Sequence, residues 1–194
     1  MRIMNVKRAI IILLTIGILV MVVVSGCVRF PIPEPEPSEP EYQLKITVEA
    51  SGEINADEGI YYIVLDADGN SATGPGDDIS SWDDSYYYIK LDNWGFYFSK
   101  VEEGSPDLQL TNSSYSGDKL HVTIALSDLG DPNSIDINVL TTDSDNNTYD
   151  YLDLYFTIST DLGSSKNITD TEVDSGEGGA DFDIINVTAE ITTL

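Results

Sequence analysis

The chain predicts an all-β protein built as an antiparallel β-sandwich of about eight or nine strands. Three observations carry that expectation. From Tyr42 onward the apolar residues repeat with period two, and no long window carries a helical stripe. Gly, Asp, Asn and Ser clusters separate the apolar runs at short intervals, as turns separate strands. The region from Tyr42 to Leu194, about 150 residues, is long enough to bury roughly two thirds of its unfolded surface in a single core.

The elements follow in order. "LKITVEA" (44–50) alternates without error, with Leu44, Ile46, Val48 and Ala50 on one face and Lys45, Thr47 and Glu49 on the other. "IYYIVL" (60–65) is apolar on both faces, which predicts a central strand. "YYYIKL" (86–91) and "WGFYFSKV" (94–101) flank Asp92-Asn93 and predict a tight hairpin. "LHVTIAL" (120–126), "IDINVL" (135–140), "YLDLYFTI" (151–158) and "FDIINVTAEI" (182–191) are further strands, with a weaker candidate at Leu108 to Leu110. The polar stretch 159–181 is expected to be a long loop, with hydrophobicity low enough for disorder.

Ahead of this domain, Arg2, Lys7 and Arg8 precede an apolar run from Ala9 to Val24 that ends in Ser25-Gly26-Cys27, the pattern of an export signal over residues 1–27. Val24-Ser25-Gly26-Cys27 resembles the lipobox of prokaryotic lipoproteins, which implies lipid attachment at Cys27. An uncleaved signal anchor is the alternative, and a 16-residue run is short for a span. Either way the rest is expected at the cell surface, on the outer face of the cytoplasmic membrane, with membrane contact only through its N-terminal anchor. One acyl chain anchors weakly, so a lipidated Cys27 needs a diacyl or diether group. Cys27 is the sole cysteine, so disulfides within the chain are excluded. Residues 28–41 hold five of the eight prolines interleaved with Glu, predicting an extended stalk. At polyproline II spacing it spans on the order of 35–40 Å.

Three of the nine basic residues fall in the leader, so the remainder sets six against all 34 acidic ones. Phosphate recognition needs basic footprints, so nucleic acid and anionic headgroups are poor partners and cations good ones. The sequons at Asn112, Asn146, Asn167 and Asn186 suit an exported, archaeal-type surface protein.

"YYIVLDADGNSATGP" and "LHVTIALSDLGDPNSIDINVLTTDSDNNTYDYLD" resemble blocks of the family 9 carbohydrate-binding-module-like and DOMON-like β-sandwiches. The resemblance spans some 50 residues. It implies an immunoglobulin-like or jelly-roll-like sandwich that binds sugars in some members and haem in others, often beside structural calcium. The haem branch fits badly, because all three Met lie in the leader and the one histidine, His121, falls on the polar side of its strand.

Two site classes stand out. Asp66, Asp68 and Asn70 have i, i+2, i+4 spacing, with Asp77 and Asp78 following, and oxygen donors so placed suit calcium. It is not an EF-hand: Gly69 comes two places early, Ser71 holds the glycine position and no helices flank it. A β-sandwich calcium loop and an ordinary Asp-Gly/Asn turn both remain open. Asp143, Asp145, Asn147 and Asp150 pose the same choice between an ion and a solvated connection. The second class is aromatic: eight of the eighteen aromatic residues lie between Ser80 and Phe98. Alternation puts Tyr87, Ile89 and Leu91 on one face and Tyr86, Tyr88 and Lys90 on the other, with Trp94, Phe96 and Phe98 together opposite Tyr97. Trp82, Tyr86, Tyr88 and Trp94 are the candidate ligand-binding residues, since flat rings beside polar acceptors stack on sugars. Cross-strand pairing that only stabilises the sheet is the alternative.

No nucleophile, zinc or phosphate-loop pattern is present, so an enzyme is not expected. The expected function is a binding module for a glycan or similar polar ligand, stabilised by calcium. The alternative is a cell-envelope structural or interaction lipoprotein with no small ligand. Oligomeric state is not legible.

Overall fold

The computed structural model describes residues 41–170 and 178–194. The export signal, Cys27 and all but the last residue of the stalk lie outside the described residues, as does part of the polar stretch 159–181.

Twelve strands form among the described residues: β1 (Tyr42–Ala50), β2 (Ile60–Asp66), β3 (Tyr87–Asp92), β4 (Gly95–Lys100), β5 (Leu108–Gln109), β6 (Ser114–Ser116), β7 (Lys119–Ala125), β8 (Ser134–Thr142), β9 (Thr148–Tyr151), β10 (Phe156–Ser159), β11 (Ser165–Thr169) and β12 (Ile184–Thr193). They make two packed antiparallel sheets, a β-sandwich as the periodicity predicts. The smaller sheet runs β11-β12-β1-β7-β6, and the larger runs β10-β8-β2-β3-β4-β5 with β9 also paired to β8.

The core lies between the sheets. Leu44, Ile46, Val48 and Ala50 of β1 meet Leu120, Val122 and Ile124 of β7 and Val187, Ala189 and Ile191 of β12 on one side. Tyr61, Ile63 and Leu65 of β2, Ile89 and Leu91 of β3, and Ile135, Ile137 and Val139 of β8 face them. The alternation in β1 thus becomes the inner face of a central strand, with Lys45 exposed and Glu49 paired to Lys119 at 3.3 Å.

Four expectations are corrected. The run 151–158 is two strands, because Leu152 turns into the core while Leu154 points out at 77% exposure; β9 and β10 then cover successive parts of the same edge of β8. The stretch 159–181 is not all loop, since β11 pairs with β12 from Ser165↔Glu190 to Thr169↔Asn186. The hairpin closes on Asn93-Trp94 rather than Asp92-Asn93, because Asp92 pairs with Gly95. Trp94 therefore leaves the face of Phe96 and Phe98 and stands 77% exposed at the turn.

β2 is apolar on both faces because the larger sheet is covered on both. Its outer face carries a second apolar cluster of Tyr62, Val64, Trp82 and Leu140, with Ile60, Ile79, Tyr86, Tyr88, Val101 and Tyr151 packed against it. Trp82 and Ile79 come from the 67–86 segment, which folds back over the strand it has just left.

Candidate functional site

The register of the larger sheet arranges this outer face in rows. Leu140, Tyr62, Lys90 and Tyr97 lie side by side across β8, β2, β3 and β4. Asn138, Val64, Tyr88 and Ser99 form the next row. Thr157, Asp136 and Asp66 form the third. Each row alternates with inward-facing core residues, so one register error would exchange the site for the core.

The 67–86 segment roofs these rows through hydrogen bonds that its own sequence supplies. Asp66 Oδ1 accepts from Asp68 N at 3.0 Å, Asp68 Oδ1 from Asn70 N at 2.6 Å, and Asn70 Oδ1 from Ala72 N at 3.3 Å. These are successive Asx turns, which coil the chain away from the strand. Gly74 then lies on the Tyr155 ring so closely that a Cβ would sit 2.4 Å from a ring carbon, and Tyr155 Oη donates to Ser71 O at 3.1 Å. Asn138 Nδ2 donates to Pro75 O at 2.9 Å, and Trp82 Nε1 to Gly76 O at 3.1 Å. Asp78 caps a single 3-10 turn (Ile79–Ser81) by accepting from Ser80 N at 2.8 Å, and that bonding with Ser80 holds its carboxyl below the usual range.

Under this roof Tyr62, Trp82 and Tyr88 form a mutual ring cluster. Tyr62 meets Trp82 edge-on at 5.7 Å and Tyr88 at 6.2 Å, and Trp82 and Tyr88 lie tilted at 6.3 Å. Such pairs contribute about 0.5–1.5 kcal/mol each beyond their buried area. The cluster opens to the surface as a recess of about 240 Å³ whose walls also include Ile79, Lys90, Val101 and Asn146. Its polar groups are already oriented. Tyr62 Oη donates to Asn146 Oδ1 at 3.1 Å, and Tyr88 Oη donates to Asp107 Oδ1 at 3.1 Å. Lys90 Nζ bridges to Asp92 Oδ2 at 3.1 Å and stands 5.4 Å from the Tyr97 ring centroid. Burial, with the charges of Asp92 and Asp107 and the neighbouring Tyr88, pushes the Tyr62 hydroxyl up to about 12, so it stays a donor. Asn146 reaches its place with φ 66°, a left-handed conformation that asparagine tolerates.

The sequence-predicted ligand residues separate into three groups. Trp82 and Tyr88 line the recess, although Trp82 is only 8% exposed. Tyr86 packs on the same outer cluster without lining the recess. Trp94 is at the hairpin tip, away from it. Tyr62, Lys90 and Asn146 are not among the ligand residues expected from the sequence, although alternation puts Lys90 on the face of Tyr88. A doubly apolar β2 signals that Tyr62 is covered, but Lys90 and Asn146 join it only through the β2–β3 register and the 143–147 turn.

A groove of about 320 Å³ beside the β9–β10 break is larger, lined by Gly74 to Asp77, Asn138 and Tyr151 to Tyr155. The Gly74 backbone covers the Tyr155 ring face there, and the Asn138 amide is bonded to Pro75, so the aromatic recess is the better ligand surface.

The acidic candidates also separate. Asp68, Asn70 and Asp78 shape the roof, and Asp77 offers its backbone oxygen to Thr148 Oγ1 at 3.4 Å. Asp66 differs: it is 2% exposed, and its Oδ2 has no hydrogen-bond partner. In the second cluster Asp143 accepts from Asp145 N and Asn147 N, both at 2.8 Å, and from Asn147 Nδ2 at 2.6 Å, a closed turn that lowers its carboxyl pKa. Asp150 belongs to a different place, buried against Ile184. His121 is exposed, as its strand face predicts, with Nδ1 3.0 Å from Thr47 Oγ1. Among the described residues no three His, Cys, Asp or Glu side chains converge in a ready-made metal cage.

No family model, curated protein or solved structure matches the chain.

Proposed function

We propose that the protein is a lipid-anchored module at the cell surface that binds a glycan or similar polar ligand in the recess of Tyr62, Trp82, Tyr88, Lys90 and Asn146. The likeness of two sequence blocks to the family 9 carbohydrate-binding-module-like and DOMON-like sandwiches points the same way. The single observation that carries the reading is the conjunction of three clustered rings with a lysine, an amide and two tyrosine hydroxyls around one opening. Rings supply apolar surface for a sugar's C–H face while the polar groups take its hydroxyls. At about 240 Å³ the recess is smaller than the roughly 300–1,000 Å³ of drug-sized pockets, which suits one sugar ring rather than a long chain. The strongly acidic surface argues against an anionic ligand except where Lys90 provides local charge. No catalytic step is assigned to this site. A structural calcium ion belongs to the same proposal.

A glycan array probed with the full chain tests it. Binding to a restricted set of neutral or mildly acidic glycans is expected, and silence across the array contradicts it. The second reading, an envelope structural or interaction lipoprotein, is favoured by the low exposure of Trp82 and Tyr62, 8% each, since rings so placed also serve simply to seat the roof on the sheet.

A further inference from the structure

We infer that Asp66 and Asp136 together form a divalent-cation site on the outer face of the larger sheet, beneath the 67–86 segment. The inference deepens the calcium part of the proposal above and is independent of its glycan part. It moves the ion from the loop set expected from spacing to a pair joined across β2 and β8.

The two residues are direct partners in the antiparallel ladder, so their Cα atoms lie about 4.5–5.5 Å apart and their side chains share a face. Both are 2% exposed. Asp136 Oδ1 accepts from Thr157 Oγ1, whereas Asp66 Oδ1 accepts only from its own turn and Oδ2 from nothing. A buried carboxylate oxygen without a donor carries its full desolvation penalty, and a second carboxylate opposite adds repulsion.

No described basic side chain relieves it. Lys90 and Lys100 are bridged to Asp92 and Glu102, and Lys45, Lys119 and Lys166 belong to the smaller sheet. Burial raises the Asp66 pKa, and the charges of Asp68, Asp136 and Asp83, all negative, add to that against the Asp68 N–H bond. Tyr86 feels the same four carboxylates. A cation between Asp66 and Asp136 turns this repulsion into coordination. Asp68 and Asp83 each give Oδ1 to a neighbouring backbone N–H, at 2.6 and 2.9 Å, so their other oxygens, backbone carbonyls and water are the source of the remaining donors an oxygen-rich ion needs.

Terbium, a luminescent stand-in for calcium, tests this in the full chain. Excitation of Tyr86 and Trp82 should give saturable terbium emission that calcium displaces, and Asp66→Asn and Asp136→Asn should each weaken it at least tenfold while Asp143→Asn leaves it unchanged. Saturating calcium should raise the wild-type Tm by about 5–10 °C over chelator, an increment that Asp136→Asn removes. Without calcium, that variant should melt no lower than wild type, because a repulsion has gone. Should an Asn variant fail to fold, Tyr86→Phe decides: emission falls if the ion sits beside the pair and is unchanged if it sits elsewhere. Coincident calcium and chelator melting curves, or terbium binding lost only in Asp143→Asn, overturn the inference. Neither result depends on the glycan array.

Discussion

Asp150 shows how one buried acid ties distant segments together. At 4% exposure its Oδ2 accepts from Ile184 N at 2.6 Å, pinning β9 to the start of β12. Burial, with lesser contributions from the charges of Asp170 and Asp183, pushes its carboxyl from 3.8 to about 6, against the opposing effect of N–H bonds from Ile184 and Tyr151. The fold therefore holds this proton more tightly than the unfolded chain does. Stability from Asp150 is full below pH 3.8 and is lost as pH rises through about 6. Asp78, Asp83 and Asp143 have lowered values and act in the opposite sense, so the comparison must be with a single variant. Urea unfolding of wild type and Asp150→Asn across that window should show the wild-type advantage shrinking as pH rises. An advantage that grows with pH contradicts the assignment.

At the scale of elements, the 67–86 segment decides whether the outer face is a site or a bare sheet. Its seat is the contact of Gly74 with the Tyr155 ring, where any side chain collides with ring carbons at 2.4 Å. Gly74→Ala should destabilise by about 1–3 kcal/mol, the usual cost of overpacking, and should shift Trp82 emission to the red as the indole loosens from Tyr62. Unchanged stability and emission would mean that the segment does not depend on this contact. The elements also divide by how legible they are in sequence. β1 and β2 announce themselves, because one alternates cleanly and the other is apolar on both faces. β6 and β11 do not: "SYS" is exposed throughout and "SKNIT" nearly so, and an edge strand without an apolar face leaves no period-two signal. The break between β9 and β10 is hidden for the opposite reason, since Leu152 and Leu154 continue the apolar pattern although only one is buried.

For the whole molecule, the sandwich was readable because a core of this size needs alternating strands, but the site depends on register, which alternation alone does not specify. Trp82 and Tyr88 could be picked from composition and Lys90 shares the Tyr88 face by alternation, whereas Tyr62 meets Lys90 only across the β2–β3 register and Asn146 arrives on a distant turn. Asp136 and Asn138 are polar yet buried, because the segment that covers them comes from a part of the chain about 60 residues earlier. Alternation sets Trp94 on the face of Phe96 and Phe98, and the Asn93-Trp94 turn takes it off that face into solvent. That separation makes the central claim measurable. In a Trp94→Phe full-length chain the sole remaining tryptophan is Trp82, and titration with a glycan that binds on the array should give a saturable change in its emission, abolished by adding Tyr88→Ala and weakened at least tenfold by Lys90→Met. Binding that persists through both of those changes, or that disappears with Trp94→Phe alone, would contradict a ligand site in the recess.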